Sequence, residues 1–362
     1  MSEGRSPRHE GAVEGRFGSV GIERGDVVRA VAIAAIFALV FFLIPHIVGI
    51  YWVKILTAAA IYSVVALGLG LLYGRVGMVS LCQIALLALG AWVATRLLYG
   101  TGLPFPIVLL MAGLATGVIG VLVGLPALRV SGLHLALITL MFAGAITLVL
   151  GLIHFPNGGK GFLGQLSLGE FQGFGNIRRP GIAEGDTAFY RYTLVVVALM
   201  FLLALWQVAS KPGRAWAAIR ESEHAALAAG VNITQYKLWA FGLASFMTGV
   251  AGGLLAGSAG ALSPQAFPTQ DSIVLLAVIL MGGIYSLWGA VVAGLLVRLL
   301  PALLEDWGVS NYVALLLFGI GVLQVLATAP GGLVDQVPKD LKKLFGLLSR
   351  GTRRQEPPEQ AA

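Results

Sequence analysis

The sequence predicts an all-α integral membrane protein, a polytopic bundle of about 10 transmembrane helices, one of them broken or re-entrant. Of its 362 residues, 57% are hydrophobic and only 11% are charged, whereas soluble domains carry roughly a quarter charged residues. Apolar runs of membrane-spanning length, about 20 residues, recur along almost the whole chain. Each run is interpreted as a helix, because an isolated strand cannot satisfy its backbone hydrogen bonds in lipid.

The predicted spans follow one another along the chain. They cover residues 29–49, 52–73, 76–98, 105–126, 132–153, 192–209, 238–260, 272–284, 288–304 and 310–328. The first follows a 28-residue polar leader and has no small-residue cleavage site after it, so we expect it to remain as a span. A glycine-containing interruption at 281–289 predicts a short or broken helix followed by a full one.

These spans divide the chain into three parts. Residues 29–330 are predicted to form the transmembrane domain, with a long outside connection at 154–191 and a long cytoplasmic connection at 210–237. Residues 1–28, rich in charge and glycine, are expected to be a disordered cytoplasmic tail. Residues 331–362 are expected to form a basic cytoplasmic tail.

The basic residues predict the orientation in the membrane. With the N-terminus in the cytoplasm, 17 of the 24 Lys and Arg residues fall on the cytoplasmic side, so both termini are predicted to be cytoplasmic. Membrane orientation explains the net charge of +7 better than nucleic-acid binding does. Arg298 falls inside a predicted span, where it needs a partner or a wet cavity, or else extends toward an interface.

Several kinds of chemistry are excluded by the sequence. No Asp or Glu occurs between Val27 and Gly169, and the other carboxylates fall in tails, loops or span edges, which argues against a proton-driven carrier. Sodium coupling through backbone carbonyls stays open. The stretch 158–161 lacks the hydroxyl of a phosphate-binding loop. Because no catalytic triad or metal cluster is visible, neither enzymatic activity nor a cofactor is predicted, and energy for pumping would have to enter from another subunit.

The connection 210–237 is where such a subunit would act. Pro212 can start a helix, alanines favour a helix over 214–229, and Gly230 can end it. Asn232 or Thr234 can cap the next helix. A rigid helix could pass the movement of a partner subunit to the spans. Helicity alone leaves open the alternative that this connection is a loop whose positive charges only set the orientation in the membrane.

A set of short motifs covers most of residues 60–330. They include Gly213-Arg214, Arg220-Glu221, Glu223, Ala225-Ala226, Gly230, Asn232, Thr234, Tyr236-Lys237, Gly249-x-x-Gly252-Gly253, Ser263-Pro264 and Gly282-Gly283-x-x-Ser286-Leu287-Trp288-Gly289. In these motifs and their order, the chain resembles the permease subunits of branched-chain amino acid ABC importers, and among them the LivM-type subunit. This resemblance, which implies a permease domain over 29–330, favours the rigid helix over the loop.

The resemblance implies a set of partners in the inner membrane of a bacterium. They are a second permease subunit, two ATP-binding subunits and an extracytoplasmic solute-binding protein. The residues implied to couple to the ATPase are Gly213, Arg214, Arg220, Glu221, Glu223, Ala225, Ala226 and Gly230. The connection 154–191 would receive the binding protein or form a covering flap.

Candidate residues of the translocation pathway are Ser80, Gln83, Gly282, Gly283 and Ser286. Departures from the family pattern at Met78, at Cys82-Gln83 and at Gly70 affect substrate identity more than transport itself. Leucine, isoleucine and valine are the implied substrates. The alternatives are a stand-alone secondary carrier or a channel for a small polar solute such as an amide or urea.

Overall fold

The protein is all-helical in the part of the chain that its structure describes. The computed structural model describes residues 35, 37–128, 130, 132–159, 163–165, 179–260, 262–310, 313, 316, 319–321, 323, 332 and 334. Every regular element within these ranges is a helix and none is a strand, which confirms the predicted all-α class. The chain divides into two compact units, residues 1–47 and 48–362.

The first unit contains a short apolar helix over Phe37–Ile47. Its last turn is α1 (Ile44–Ile47). The rings of Phe37 and Phe41 stack with their centroids 6.1 Å apart. The tail 1–28, and residues 29–34 and 36 of the predicted span 29–49, lie outside the described residues, so the tail and the full span stay predictions.

The second unit holds the main bundle. Its α-helices are α2 (Ile50–Gly70), α3 (Gln83–Gly100), α4 (Phe105–Ala127), α5 (Leu133–Ile153), α6 (Asp186–Ala209), α7 (Lys211–Glu221), α8 (Glu223–Ala228), α9 (Ile233–Ala259), α10 (Asp271–Gly282) and α11 (Leu287–Asp306). A π-helical stretch, Leu71–Val76, continues α2. Short 3-10 turns occur at Gly181–Ala183 and Pro264–Ala266.

The described chain contains 8 helices that are long and apolar enough to cross a membrane. They correspond to the predicted spans between residues 52 and 304, although α6 starts earlier than predicted, at Asp186. The chain is therefore a multi-pass membrane protein. The span 310–328 and the tail 331–362 fall largely outside the described residues, so the count of about 10 crossings stays a prediction.

Helix α9 is the centre of the second unit and packs against α2, α3 and α4. Glycines allow these helices to approach closely. A Cβ atom added at Gly90 of α3 would lie 2.5 Å from the Gly249 carbonyl oxygen of α9. On another side of α9, Gly113 of α4 packs against Phe246 and Val250. Movement of α9 must therefore displace its neighbours as well.

The predicted span 76–98 is helical only from Gln83 onward, which corrects its start. Gly77 has a positive φ of 82° and ends the π-helical stretch, because the left-handed conformation costs glycine little. Residues 77–82 then run without regular structure before α3. The Leu81 amide donates to the Thr139 hydroxyl at 2.9 Å, so this backbone finds a partner inside the protein.

The predicted interruption near 281–289 is confirmed as a short helix followed by a full one. Helix α10 has 12 residues, which is about 18 Å of rise and less than the roughly 30 Å of a bilayer core. Gly283 adopts φ 115° and ends it. The Ser286 amide donates to the Gly283 carbonyl at 3.1 Å, which closes the turn. Helix α11 then continues for 20 residues.

Candidate functional site

The connection between α6 and α9 folds into two helices, α7 and α8. The prediction of one continuous helix over 214–229 is therefore wrong. Ser222 is extended, with φ −162° and ψ 119°, and its hydroxyl accepts a hydrogen bond from the Ala225 amide at 3.3 Å. This side chain offers the backbone a cap in place of a continuing helix, which outweighs the helix propensity of the flanking alanines.

Gly230 ends α8 as predicted. Its φ is +79°, and its amide donates to the Leu227 carbonyl at 2.9 Å. The Val231 amide donates to the Ala226 carbonyl, also at 2.9 Å. This pair of bonds is a Schellman motif, which favours glycine at the left-handed position. Asn232 then caps α9, its side-chain oxygen accepting from the Gln235 amide at 3.2 Å.

The two short helices are attached to the first turns of α9. Trp216 is fully buried, and its indole N–H donates to the Tyr236 carbonyl at 2.9 Å. Lys237 Nζ lies 2.7 Å from Glu223 Oε1. We call α7 and α8 together, residues 211–228, the α7–α8 hairpin. The Trp216 ring attaches α7 to α9, and the Glu223–Lys237 pair attaches α8 to α9. Both helices of the hairpin are therefore bound to α9.

Arg220 makes a second attachment, to the bundle beyond α9. Its Nη1 donates to the Gly74 carbonyl at 2.7 Å, at the end of the π-helical stretch. Its guanidinium carbon lies 4.4 Å from the centroid of the Tyr285 ring, in the turn between α10 and α11. The hairpin therefore contacts α9, the end of α2 and the α10–α11 turn.

The eight residues implied to couple to an ATPase all lie on or beside this hairpin, but they face different ways. Gly213 packs so closely against the Val208 backbone that a Cβ there would clash. Ala226 is buried, while Arg220 and Glu223 are exposed side chains that bond to the bundle. The other four are exposed, and no side-chain hydrogen bond or salt bridge involves them in the described part of the chain. They are Arg214, Glu221, Ala225 and Gly230.

A groove of about 540 Å³ opens beside α8. Apolar and polar side chains share its wall about equally, and the Glu223–Lys237 pair contributes the charged part. It is lined by Leu128, Glu223, Leu227, Gly230, Val231, Asn232, Ile233, Thr234 and Lys237. The groove lies on the same surface as the exposed hairpin residues, because Leu227 and Gly230 belong to both.

The candidate pathway residues fall into two separate groups. Ser80 and Gln83 are completely buried near the start of α3. Gln83 Oε1 accepts from the Thr248 hydroxyl at 2.7 Å, while Gln83 Nε2 has no hydrogen-bond partner in the described part of the chain. Ser80 Oγ lies 3.2 Å from Cys82 Sγ. These side chains face the core around α9.

Gly283 and Ser286 belong to a different place, a narrow cleft of about 10 Å³ between α2 and the α10–α11 turn. That volume is at the lower limit for a single water molecule. Gly282 lies next to this turn and packs against the backbone of Gly289. The cleft is lined by Ala66, Leu67, Gly70, Leu71, Arg75, Ile279, Gly283, Ile284, Tyr285, Ser286, Leu287 and Ala290.

Arg298 has the partner that its position in a span required. Its Nη2 donates to the Tyr62 hydroxyl at 2.6 Å, and its guanidinium carbon lies 4.3 Å from the centroid of the Tyr62 ring. Tyr62 was not predicted as this partner, because nothing in a run of apolar residues marks which aromatic side chain faces a cation on another helix. Asp271, expected at the edge of a span, is the first residue of α10.

The described end of the connection 154–191 is tied to the bundle. Arg179 Nε donates to the Gly257 carbonyl at 2.9 Å, and Arg179 Nη1 lies 2.7 Å from Asp186 Oδ1. Lys54 reaches the same carboxylate at 3.3 Å. These contacts use Arg179 to fasten the connection over the end of α9, while residues 166–178 lie outside the described chain.

The fold and these sites define a multi-pass membrane permease. A family model described as the permease component of the branched-chain amino acid transport system matches residues 51–326. The chain is 30% identical over 318 residues to the high-affinity branched-chain amino acid transport system permease protein LivM of Salmonella typhimurium, a match covering 83% of this chain and 74% of that protein. It belongs to the branched-chain amino acid transport permease family.

Two further relatives agree. LivM of Escherichia coli is 30% identical over 314 residues, covering 82% of this chain and 73% of that protein. A probable branched-chain amino acid transport permease protein LivH of Methanocaldococcus jannaschii is 27% identical over 317 residues, covering 80% of this chain and 95% of the relative. No solved structure matches the chain significantly.

Proposed function

We propose that this chain is a permease subunit of an ATP-binding cassette importer for branched-chain or related amino acids. It would lie in the cytoplasmic membrane of a bacterium with both termini in the cytoplasm. The observation that carries this proposal is the α7–α8 hairpin, which is attached to α9 through Trp216 and through the Glu223–Lys237 pair. Membership of the branched-chain amino acid permease family supports the substrate class.

The hairpin has two faces, as a coupling element needs. One face bonds to the bundle, and the other exposes side chains toward whatever binds there. Exposed Arg214 and Glu221 offer one charge of each sign on α7, and exposed Leu227 offers an apolar contact on α8. An ATP-binding subunit would bind to this outer face and to the groove beside α8.

We infer that force on the hairpin reaches the substrate route through α9. Closure of the ATP-binding subunits would push the hairpin, and the contacts of Trp216 and Lys237 would carry the movement into α9. Arg220 would carry it to the end of α2 and to the α10–α11 turn. Inward-open and outward-open packings that differ by only a few kcal/mol can be exchanged in this way.

Further subunits complete the proposed importer. They are a second permease, two ATP-binding subunits and an extracytoplasmic solute-binding protein. The second permease would be a similar chain that pairs with this one in the membrane. The side of the bundle where Arg179 fastens the connection 154–191 would face the binding protein.

Of the candidate pathway residues, Gly283 and Ser286 are the better supported, because they line the cleft beside Arg75. Movement of the α10–α11 turn by Arg220 would widen this cleft. Ser80 and Gln83 would become part of the route only if α3 moved relative to α9, because both are fully buried.

Asp271 favours a second candidate function, a stand-alone secondary carrier. A carrier needs a group within the bilayer that interacts with its coupling ion, and Asp271 starts α10 inside a crossing. Uptake driven by an ion gradient, in vesicles that contain this chain alone, is the result that would support the carrier over the importer.

The proposed function is tested by deleting the gene in its host and measuring uptake of radiolabelled leucine. We expect uptake to fall to the background level, and to return when the chain is supplied from a plasmid. A plasmid-borne variant with Gly213→Val, which cannot fit against the Val208 backbone, should restore membrane insertion but not uptake. Normal leucine, isoleucine and valine uptake in the deletion strain would contradict the substrate class.

A further inference from the structure

Two charged side chains, Asp271 and Arg298, lie at the same level along the neighbouring helices α10 and α11. Asp271 starts α10, eleven residues before Gly282, and Arg298 lies eleven residues after Leu287 at the start of α11. Helices α10 and α11 pack against each other. At 1.5 Å per residue, both charges lie about 16 Å from the turn that joins the two helices. That distance is close to half of the roughly 30 Å bilayer core.

The two charges lie on helices that pack together, but they do not pair. In the described part of the chain, neither residue belongs to an ion pair within 4.0 Å. Tyr62 takes one guanidinium N–H at 2.6 Å. Since a guanidinium has five N–H donors, Arg298 keeps several for another acceptor.

Both side chains are exposed in the chain by itself. Lipid is an unfavourable neighbour for a guanidinium at this depth, so its exposed side must face a wet cavity or another protein. Next to Asp271, the Ser272 hydroxyl is buried and has no hydrogen-bond partner among the described residues. The Arg298 guanidinium, the Asp271 carboxylate and the unpaired Ser272 hydroxyl therefore lie at a depth where apolar side chains would be expected.

These groups also lie above the cleft of the candidate pathway. Tyr62, Ala66 and Gly70 repeat every four residues and so share one face of α2. Ala290 and Arg298 are likewise eight residues apart on α11. Ala66, Gly70 and Ala290 line the cleft. A row of small side chains therefore leads from the charged level toward the α10–α11 turn.

We propose that Arg298 and Asp271 bind the zwitterionic head of an amino acid in mid-membrane. The Arg298 guanidinium, held by Tyr62, donates to the α-carboxylate of the substrate. The Asp271 carboxylate accepts from its α-ammonium group. A guanidinium suits a carboxylate because it can make two parallel hydrogen bonds to it. The inference rests on the proposed transport function and narrows the substrate to a solute with both charges, which excludes urea and simple amides.

The test uses proteoliposomes that contain this chain together with the subunits that co-purify with it. Leucine accumulated per ATP hydrolysed is measured for the wild type, Arg298→Gln, Arg298→Lys and Asp271→Asn. We expect about a tenfold loss for Arg298→Gln and Asp271→Asn, and a smaller loss for Arg298→Lys. ATP hydrolysis should continue in all of them. Arg96→Gln, which removes an arginine one turn from the end of α3, should match the wild type.

Tyr62→Phe guards against a folding defect, because it keeps the ring beside Arg298 and removes only the hydroxyl. It should raise the KM for leucine while the assembled complex is retained.

An unchanged leucine-to-ATP ratio in Arg298→Gln and Asp271→Asn would overturn the proposal. So would loss of the second permease from the complex in these variants, because the charges would then belong to a subunit interface. A wild-type complex without ATP-driven leucine uptake would instead refute the proposed function itself, and this inference with it.

Discussion

Lys237 Nζ lies 2.7 Å from Glu223 Oε1 and thereby joins the second turn of α9 to the start of α8. The two partners differ in exposure, since the Lys237 side chain is 10% exposed and that of Glu223 is 49% exposed. The ammonium group is thus the member that depends on its partner, because it has little access to water. An ion pair of this kind fixes the angle between α8 and α9.

The first prediction concerns the opposite charges of Glu223 and Lys237. Glu223→Lys places a like charge against a largely buried ammonium group, so the hairpin should detach from α9 and leucine uptake should fall. Because the pair is partly solvent-exposed, we expect a loss of about fivefold rather than abolition. The variant carrying both Glu223→Lys and Lys237→Glu should recover much of the uptake.

Uptake by the double variant is the deciding measurement for that pair. If it is no better than the two single variants, the pair does not act as a link, and each residue has a separate role. Glu305→Lys is a matched control, because Glu305 lies near the end of α11, away from the hairpin, and is exposed with no salt bridge in the described chain.

The second prediction concerns the Trp216 indole. Trp216→Phe keeps an aromatic ring but removes the N–H that donates to the Tyr236 carbonyl. The Tyr236 carbonyl keeps its place in the α9 ladder, so the loss is that of one hydrogen bond, about 0.5–1.5 kcal/mol. We expect faster amide hydrogen exchange across residues 211–230. Trp307→Phe, at a position that is 73% exposed, should leave exchange in that segment unchanged.

The third prediction concerns the packing of α3 on α9. In Gly90→Ala the new methyl group would lie 2.5 Å from the Gly249 carbonyl oxygen, so one helix must shift. Overpacking of this kind costs about 1–3 kcal/mol, which thermal unfolding in detergent should detect. Gly144→Ala, where no heavy atom lies within 4 Å, is the matched control. Equal melting temperatures for both variants would contradict the close approach of α3 and α9.

The fourth prediction concerns the end of α8. Gly230→Ala forces a side chain into φ +79°, which costs roughly 1–2 kcal/mol, although nothing lies within 4 Å of the new atom. Gly230→Asn should cost less, because asparagine tolerates the left-handed conformation. Exchange of the Val231 amide, which bonds to the Ala226 carbonyl, is the sensitive readout. Equal exchange in the two variants would mean that backbone strain does not limit this cap.

Sequence patterns predicted the bundle well, because the length and polarity of each run follow from the thickness of the bilayer. Capping residues also predicted Gly230 and Asn232, because their roles depend on neighbours a few positions away. Ser222 broke the expected helix because its capping hydrogen bond competes with alanine-rich propensity. Contacts between distant parts of the chain could not be predicted in this way, because hydropathy does not tell which faces of two helices pack together. The contact between Tyr62 of α2 and Arg298 of α11 is an example.

The central claim is that this chain surrounds a route for amino acids while its driving force enters through the α7–α8 hairpin. The most direct test is the rate of leucine accumulation in proteoliposomes that contain either the chain alone or the chain with its co-purifying ATP-binding subunits. We expect accumulation against a gradient only in the second preparation, only with ATP, and about fivefold less with Glu223→Lys. Accumulation by the chain alone, without ATP, would contradict the claim.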